Sequence, residues 1–68
     1  MGEKLLPLAA MEKLLKKAGA PRVSESAKEA LREVLESRAL EVGSKAFLLA
    51  EHSGRKTIKA EDIRLAIR

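Results

Sequence analysis

From Ser24 to Ser53 the chain reads SESAKEALREVLESRALEVGSKAFLLAEHS, with no proline and a single glycine, Gly43. Ala27, Ala30, Leu31, Val34, Leu35, Ala39, Val42, Ala46, Leu49 and Ala50 recur at helical spacing, and good helix formers fill most other positions. Start signals lie at Ser24, with Glu25 in the first turn, or at Ser26, with Glu29 three residues on. Gly54 is the stop signal. A helix over about 25–53 is a rod of roughly 42 Å, at ~1.5 Å per residue. A compact globule of 68 residues has a radius of gyration of roughly 11 Å, hence a diameter of roughly 28 Å. The helix is longer than the domain it would belong to, and alone it would leave much of its apolar stripe in water. The spacing therefore predicts an obligate dimer whose second chain shares the core.

Shorter helices flank the rod. Pro7 suits a first helical position, and Leu8, Met11, Leu14, Leu15 and Ala18 share one face of a helix over about 7–18. Gly19 caps it and Pro21 prevents continuation, leaving a short extended connector that carries Arg22. After Gly54, the β-branched Thr57 and Ile58 read as extended. A last helix is expected over about 60–67, with Glu61 and Asp62 against its positive end and Ile63, Ala66 and Ile67 on one face. The expectation is one all-α domain spanning residues 1–68: short helix, long helix, short helix.

The composition narrows the function. Without cysteine the chain has neither disulfides nor thiolate metal ligands, and one histidine, His52, makes a poor basis for a metal site or a catalytic triad. No nucleophile–base pair or phosphate-cradling glycine loop is legible. A binding protein without cofactor is expected, not an enzyme. The apolar runs are far shorter than a membrane span, and MGEKLLPLAA lacks the pattern of a secretory signal, so a cytoplasmic protein is expected. The net charge of +4 is unevenly spread: residues 1–24 carry +3, residues 25–53 carry −2 and residues 54–68 carry +3. That asymmetry favours two basic surfaces at defined places over a uniformly sticky protein.

The two connectors are chemical twins. Each follows a glycine and places a basic residue, Arg22 or Lys56, and a hydroxyl, Ser24 or Thr57, near a helix N-terminus. If two long helices cross antiparallel, the first connector of one chain comes beside the second connector of its partner. Basic groups, hydroxyls and free backbone N–H groups then converge, which is the chemistry of a phosphate site.

The segments KKAGAPRVSESA at 16–27 and GRKTIKAEDIRLAI at 54–67, with the LLPLAAMEKLL opening, resemble the archaeal histones across almost the whole chain. The resemblance implies the histone fold, a handshake dimer, and wrapping and compaction of double-stranded DNA with little base reading, by a protein associated with the nucleoid. It implies that Arg22 enters the minor groove, that Lys56 and Thr57 bind phosphate, and that Lys59 and Lys13 approach the backbone. Lys16 and Ser24 are further candidates. Leu31, Val34, Leu35, Arg38 and Val42 would form the dimer core, as a homodimer or with a related histone chain. Leu49, His52 and Asp62 would form a dimer–dimer contact for a tetramer or larger assembly, and Arg55 would pair with Asp62 to brace the second loop. The alternative is a histone-fold protein that heterodimerises and binds DNA weakly.

Some residues depart from the family pattern. Arg38 stands at the long helix's midpoint, where a large apolar side chain is usual, and burying it unpaired would cost several kcal/mol. Glu41 or Glu36 can pair with it, its stem can pack while its head reaches water, or a partner chain can supply an acid. Gly43 costs the helix roughly 1 kcal/mol against alanine. Glu51 stands where a basic residue is common, and Glu12 adds an acid to the first helix.

Overall fold

The computed structural model describes residues 4–68. The first three residues of MGEKLLPLAA, the stretch read as lacking a signal pattern, lie outside it. The described residues form three helices, α1 (Leu8–Lys17), α2 (Glu25–His52) and α3 (Ala60–Ala66). The ends predicted at Pro7, Ala18, Ser53 and Ile67 fall just outside the helices. Pro7 is extended and its carbonyl accepts the N–H groups of Ala10 and Met11, so it stands as the N-cap and not as the first helical residue. Ala18 and Ile67 are C-caps.

α1 and α2 end in the same turn. The N–H of Gly19 reaches the Lys16 carbonyl (3.0 Å) and that of Ala20 the Leu15 carbonyl (3.2 Å). Gly54 and Arg55 repeat the pattern onto Glu51 and Ala50, both at 2.9 Å. These are Schellman caps, which need the left-handed backbone that Gly19 (φ 118°) and Gly54 (φ 74°) supply. Around Gly54 a Cβ would meet nothing within 4 Å. Gly54→Ala therefore carries backbone strain without a clash, and should destabilise the protein by about 1–2 kcal/mol, read by denaturant unfolding at fixed protein concentration.

The chain divides into two compact units, Met1–Ser37 and Arg38–Arg68. In the first, Met11 of α1 is the buried apolar residue, with Leu8, Leu15, Val23, Leu31 and Leu35 half-buried. Leu14, expected on the same inward face, is half exposed. Two backbone N–H groups, of Leu5 and Leu6, donate to one carboxylate oxygen of Glu36, the second at 2.7 Å. In the second unit Ala46, Ala50 and Ala66 are buried and small. No large side chain among the described residues is fully buried, while Val34, Leu40 and Leu48 remain 62%, 74% and 60% exposed. Full burial of such a side chain is worth about 1.5–3 kcal/mol, which here is left unrealised.

The residues expected at a dimer core divide in the same way. Leu31, Leu35 and Val42 are half-buried, whereas Val34 and Arg38 face water. Arg38 donates through Nη1 to Glu41 Oε1 at 2.8 Å, one helical turn on. Glu36 is engaged by the N-terminal backbone. The midpoint arginine thus has an acid within its own chain, and it is Glu41.

Candidate nucleic-acid interface

In the first unit, α1 carries Lys13, Lys16 and Lys17 on exposed positions. The Schellman turn at Gly19 delivers the chain to Pro21 and Arg22, and the side chain of Arg22 is exposed, outside the ion pairs of the described residues. Ser24 then caps α2. Its Oγ accepts the Ala27 N–H at 3.1 Å and its carbonyl accepts the Lys28 N–H. The cap uses a lone pair of the Ser24 oxygen and leaves its O–H able to donate, so this corner offers an anion Arg22, the Ser24 hydroxyl and the α2 N-terminus. Its Oγ also lies 3.2 Å from the Ser26 hydroxyl.

One network on this face escaped the reading of the sequence. Glu12 pairs through Oε2 with Lys16 (2.9 Å) and through Oε1 with Lys28 (3.0 Å), and Lys28 also reaches Glu25 (2.7 Å). Lys16 holds the Glu12 carboxyl below the usual range, with Lys28 adding to it. Glu25, then Glu12, raises the Lys28 ammonium. The i,i+4 spacing of Glu12 and Lys16 was a legible signal. Lys28, 16 residues from Glu12, was not.

In the second unit the loop after Gly54 is braced from within. Arg55 forks onto Asp62, Nη1 to Oδ2 at 3.0 Å and Nη2 to Oδ1 at 3.1 Å, and Nη1 also donates to the Thr57 carbonyl at 2.9 Å. Asp62 Oδ2 accepts the Lys59 N–H at 2.7 Å, at the start of α3. Asp62 is only 3% exposed. Arg55 and the Lys59 amide hold its carboxyl below the usual aspartate range. One carboxylate thus ties the arginine, the loop and the helix start together. Lys56, Thr57 and Lys59 stand exposed on this fixed frame, and neither lysine enters the ion pairs of the described residues. A braced loop with exposed cations outside ion pairs can offer charge-assisted hydrogen bonds to an anion.

The residues expected to join dimers are brought together only in part. Leu49 and His52 line an open groove of about 370 Å³ with Lys45, Leu48, Leu65, Ala66 and Arg68. Asp62 is absent from that lining, its carboxylate being taken by Arg55 and the Lys59 amide. Among the described residues there is no cluster of three potential metal ligands, and no helix is long and apolar enough to cross a membrane.

Residues 4–67 match the family described as histone-like transcription factor (CBF/NF-Y) and archaeal histone. The chain is 59% identical over 63 residues to one of the subunits of the archaeal histone HAN1 of Thermococcus zilligii, covering 93% of this chain and 94% of that protein. It is 51% identical, at the same coverage, to probable archaeal histone 3 of Methanocaldococcus jannaschii. With a short helix, a 28-residue helix and a short helix, and a family match over nearly its whole length, the chain belongs to the archaeal histone family and has the all-α histone fold.

Proposed function

We propose that this protein binds and wraps double-stranded DNA as a handshake dimer, compacting the chromosome with little regard to sequence. The observation that carries the reading is the frame of the second loop: half-buried Arg55 and buried Asp62 pair to fix a turn on which Lys56, Thr57 and Lys59 are exposed, the two lysines outside the ion pairs of the described residues. In a dimer whose α2 helices cross near Arg38, that loop lies beside the partner's first connector. Lys56 and Lys59 then serve one stretch of backbone while Arg22 enters the minor groove beside it, and Lys13 of each chain serves the centre of the arc. Such contacts set position and neutralise charge, while selectivity comes from how readily the duplex bends. The exposed Val34, Leu40 and Leu48 support the need for partners, first a second chain at α2 and then further dimers through the groove at Leu49 and His52. The two compact units act together as one histone-fold domain, and its place is the nucleoid, in the cytoplasm.

A second reading is obligate pairing with a different histone chain. It is favoured by Arg38 at the crossing, and by the Thermococcus zilligii relative being named as a subunit of HAN1. The Arg38–Glu41 pair favours self-association instead, because each chain brings a neutralised arginine to the crossing.

Anisotropy titrations with two duplexes of unrelated sequence test the DNA reading. Affinities within a few-fold of each other, both collapsing as salt rises, are expected. A strongly selective complex indifferent to salt would overturn it.

A further inference from the structure

We propose that Glu12 is a resident counter-ion that withholds Lys16 from DNA and so sets the affinity of the protein below what its lysines allow. The inference rests on the DNA-binding reading and identifies a residue that tunes it.

The two oxygens of Glu12 meet different lysines. Oε1 meets Lys28, whose side chain is 13% exposed and which also holds Glu25. That contact braces α1 against the start of α2. Oε2 meets Lys16, whose side chain is 52% exposed, on the same helix as Lys13. Glu12, Glu25, Lys16 and Lys28 together carry no net charge. A lysine contributes to DNA affinity by neutralising a phosphate and releasing the cation condensed there. Lys16, paired with a carboxylate 2.9 Å away, must leave that pair to serve a phosphate, and the carboxylate then stands unpaired beside the phosphate on that side. Glu12 cannot simply swing aside, because Lys28 holds its other oxygen. The Glu12 carboxyl, held below the usual range by Lys16 and then by Lys28, is ionised at neutral pH. Lys13, one residue away and outside these pairs, is free to act.

The test is the slope of log affinity against log salt for Glu12→Gln and the unaltered protein on one duplex. The variant should steepen the slope by about 0.9 per chain, about 1.8 per dimer, and bind about tenfold or more tighter at 50 mM salt. Glu33→Gln, which adds the same charge at an exposed site without an ion pair among the described residues, should change the slope much less. An unchanged slope in Glu12→Gln, or an equal change in Glu33→Gln, would overturn the proposal. If freeing Lys28 unfolds Glu12→Gln, the double variant Glu12→Gln, Lys28→Met keeps the local balance. It should show the same steepening, and its failure to do so would overturn the proposal equally. Loss of salt-dependent DNA binding by the unaltered protein would instead strike the underlying reading, so the two failures are distinguishable.

Discussion

Affinity for a duplex of ~60 base pairs should fall about 10⁴-fold between 50 and 200 mM salt. Four cations per chain carry this expectation: Lys13, Arg22, Lys56 and Lys59, all exposed and outside the ion pairs of the described residues. A dimer then brings about eight cations to the duplex, and each contributes about −0.9 to the slope of log affinity against log salt by releasing a condensed counter-ion, about −7 in all. Lys16 is left out because Glu12 occupies it. Replacing Lys56 by alanine should flatten the slope by about 1.8 per dimer, and should do so on every duplex alike, since a phosphate contact carries no sequence information. Titration of wild type and Lys56→Ala across a salt series checks both figures. A slope near zero, or a loss confined to one sequence, would contradict the account.

Asp62→Ala should lower the melting temperature by on the order of 10 °C, the largest stability effect expected of any single polar-to-apolar change in the chain. The carboxylate accepts two guanidinium bonds and one backbone N–H while almost wholly out of water. Its removal strands a half-buried arginine and an N-terminal amide of α3 together, and unpaired buried groups lose more than the bonds themselves. The same carboxyl gives the protein an acid limit. Its folded pKa is depressed, chiefly by Arg55 and then by the Lys59 amide. Its contribution to stability is therefore complete above the usual aspartate range, about pH 4, and is lost as pH falls through the lower folded value. Thermal scans from pH 6 to 2 should show wild type losing stability at the acid end while Asp62→Ala, already without the contribution, loses less. Parallel pH profiles for the two would contradict the assignment. DNA binding by Asp62→Ala should weaken as well, because the frame that holds Lys56 and Lys59 is gone.

The helices were legible because their signals are local. Pro7, Gly19, Pro21, Ser24 and Gly54 each punctuate the chain through their own backbone chemistry, and the periodicity between them is that of a helix. The twin connectors were legible at the level of residue type, and their likeness extends to the backbone, since Gly19 and Gly54 terminate their helices with the same pair of hydrogen bonds. What could not be read was the use made of side chains across sequence distance. Ser24 looked equally fit to bind phosphate or to cap α2, and only the 3.1 Å bond from the Ala27 amide shows that its oxygen caps the helix. Glu36 and Glu41 were equal candidates to neutralise Arg38. The choice falls to Glu41 because Glu36 receives the amides of Leu5 and Leu6, a contact between residues some thirty positions apart that no periodicity announces. Lys28 joins the Glu12 network for the same reason. Asp62 was expected both inside the second loop and at a contact between dimers, and its burial and saturated carboxylate favour the first.

Native mass spectrometry of the purified chain, alone and with a ~60 base-pair duplex across a salt series, reads both the dimer and its DNA binding at once. A homodimer of two 7.4 kDa chains should add to the duplex in dimer steps and leave as salt rises. A monomer that ignores the duplex at every salt concentration would contradict it.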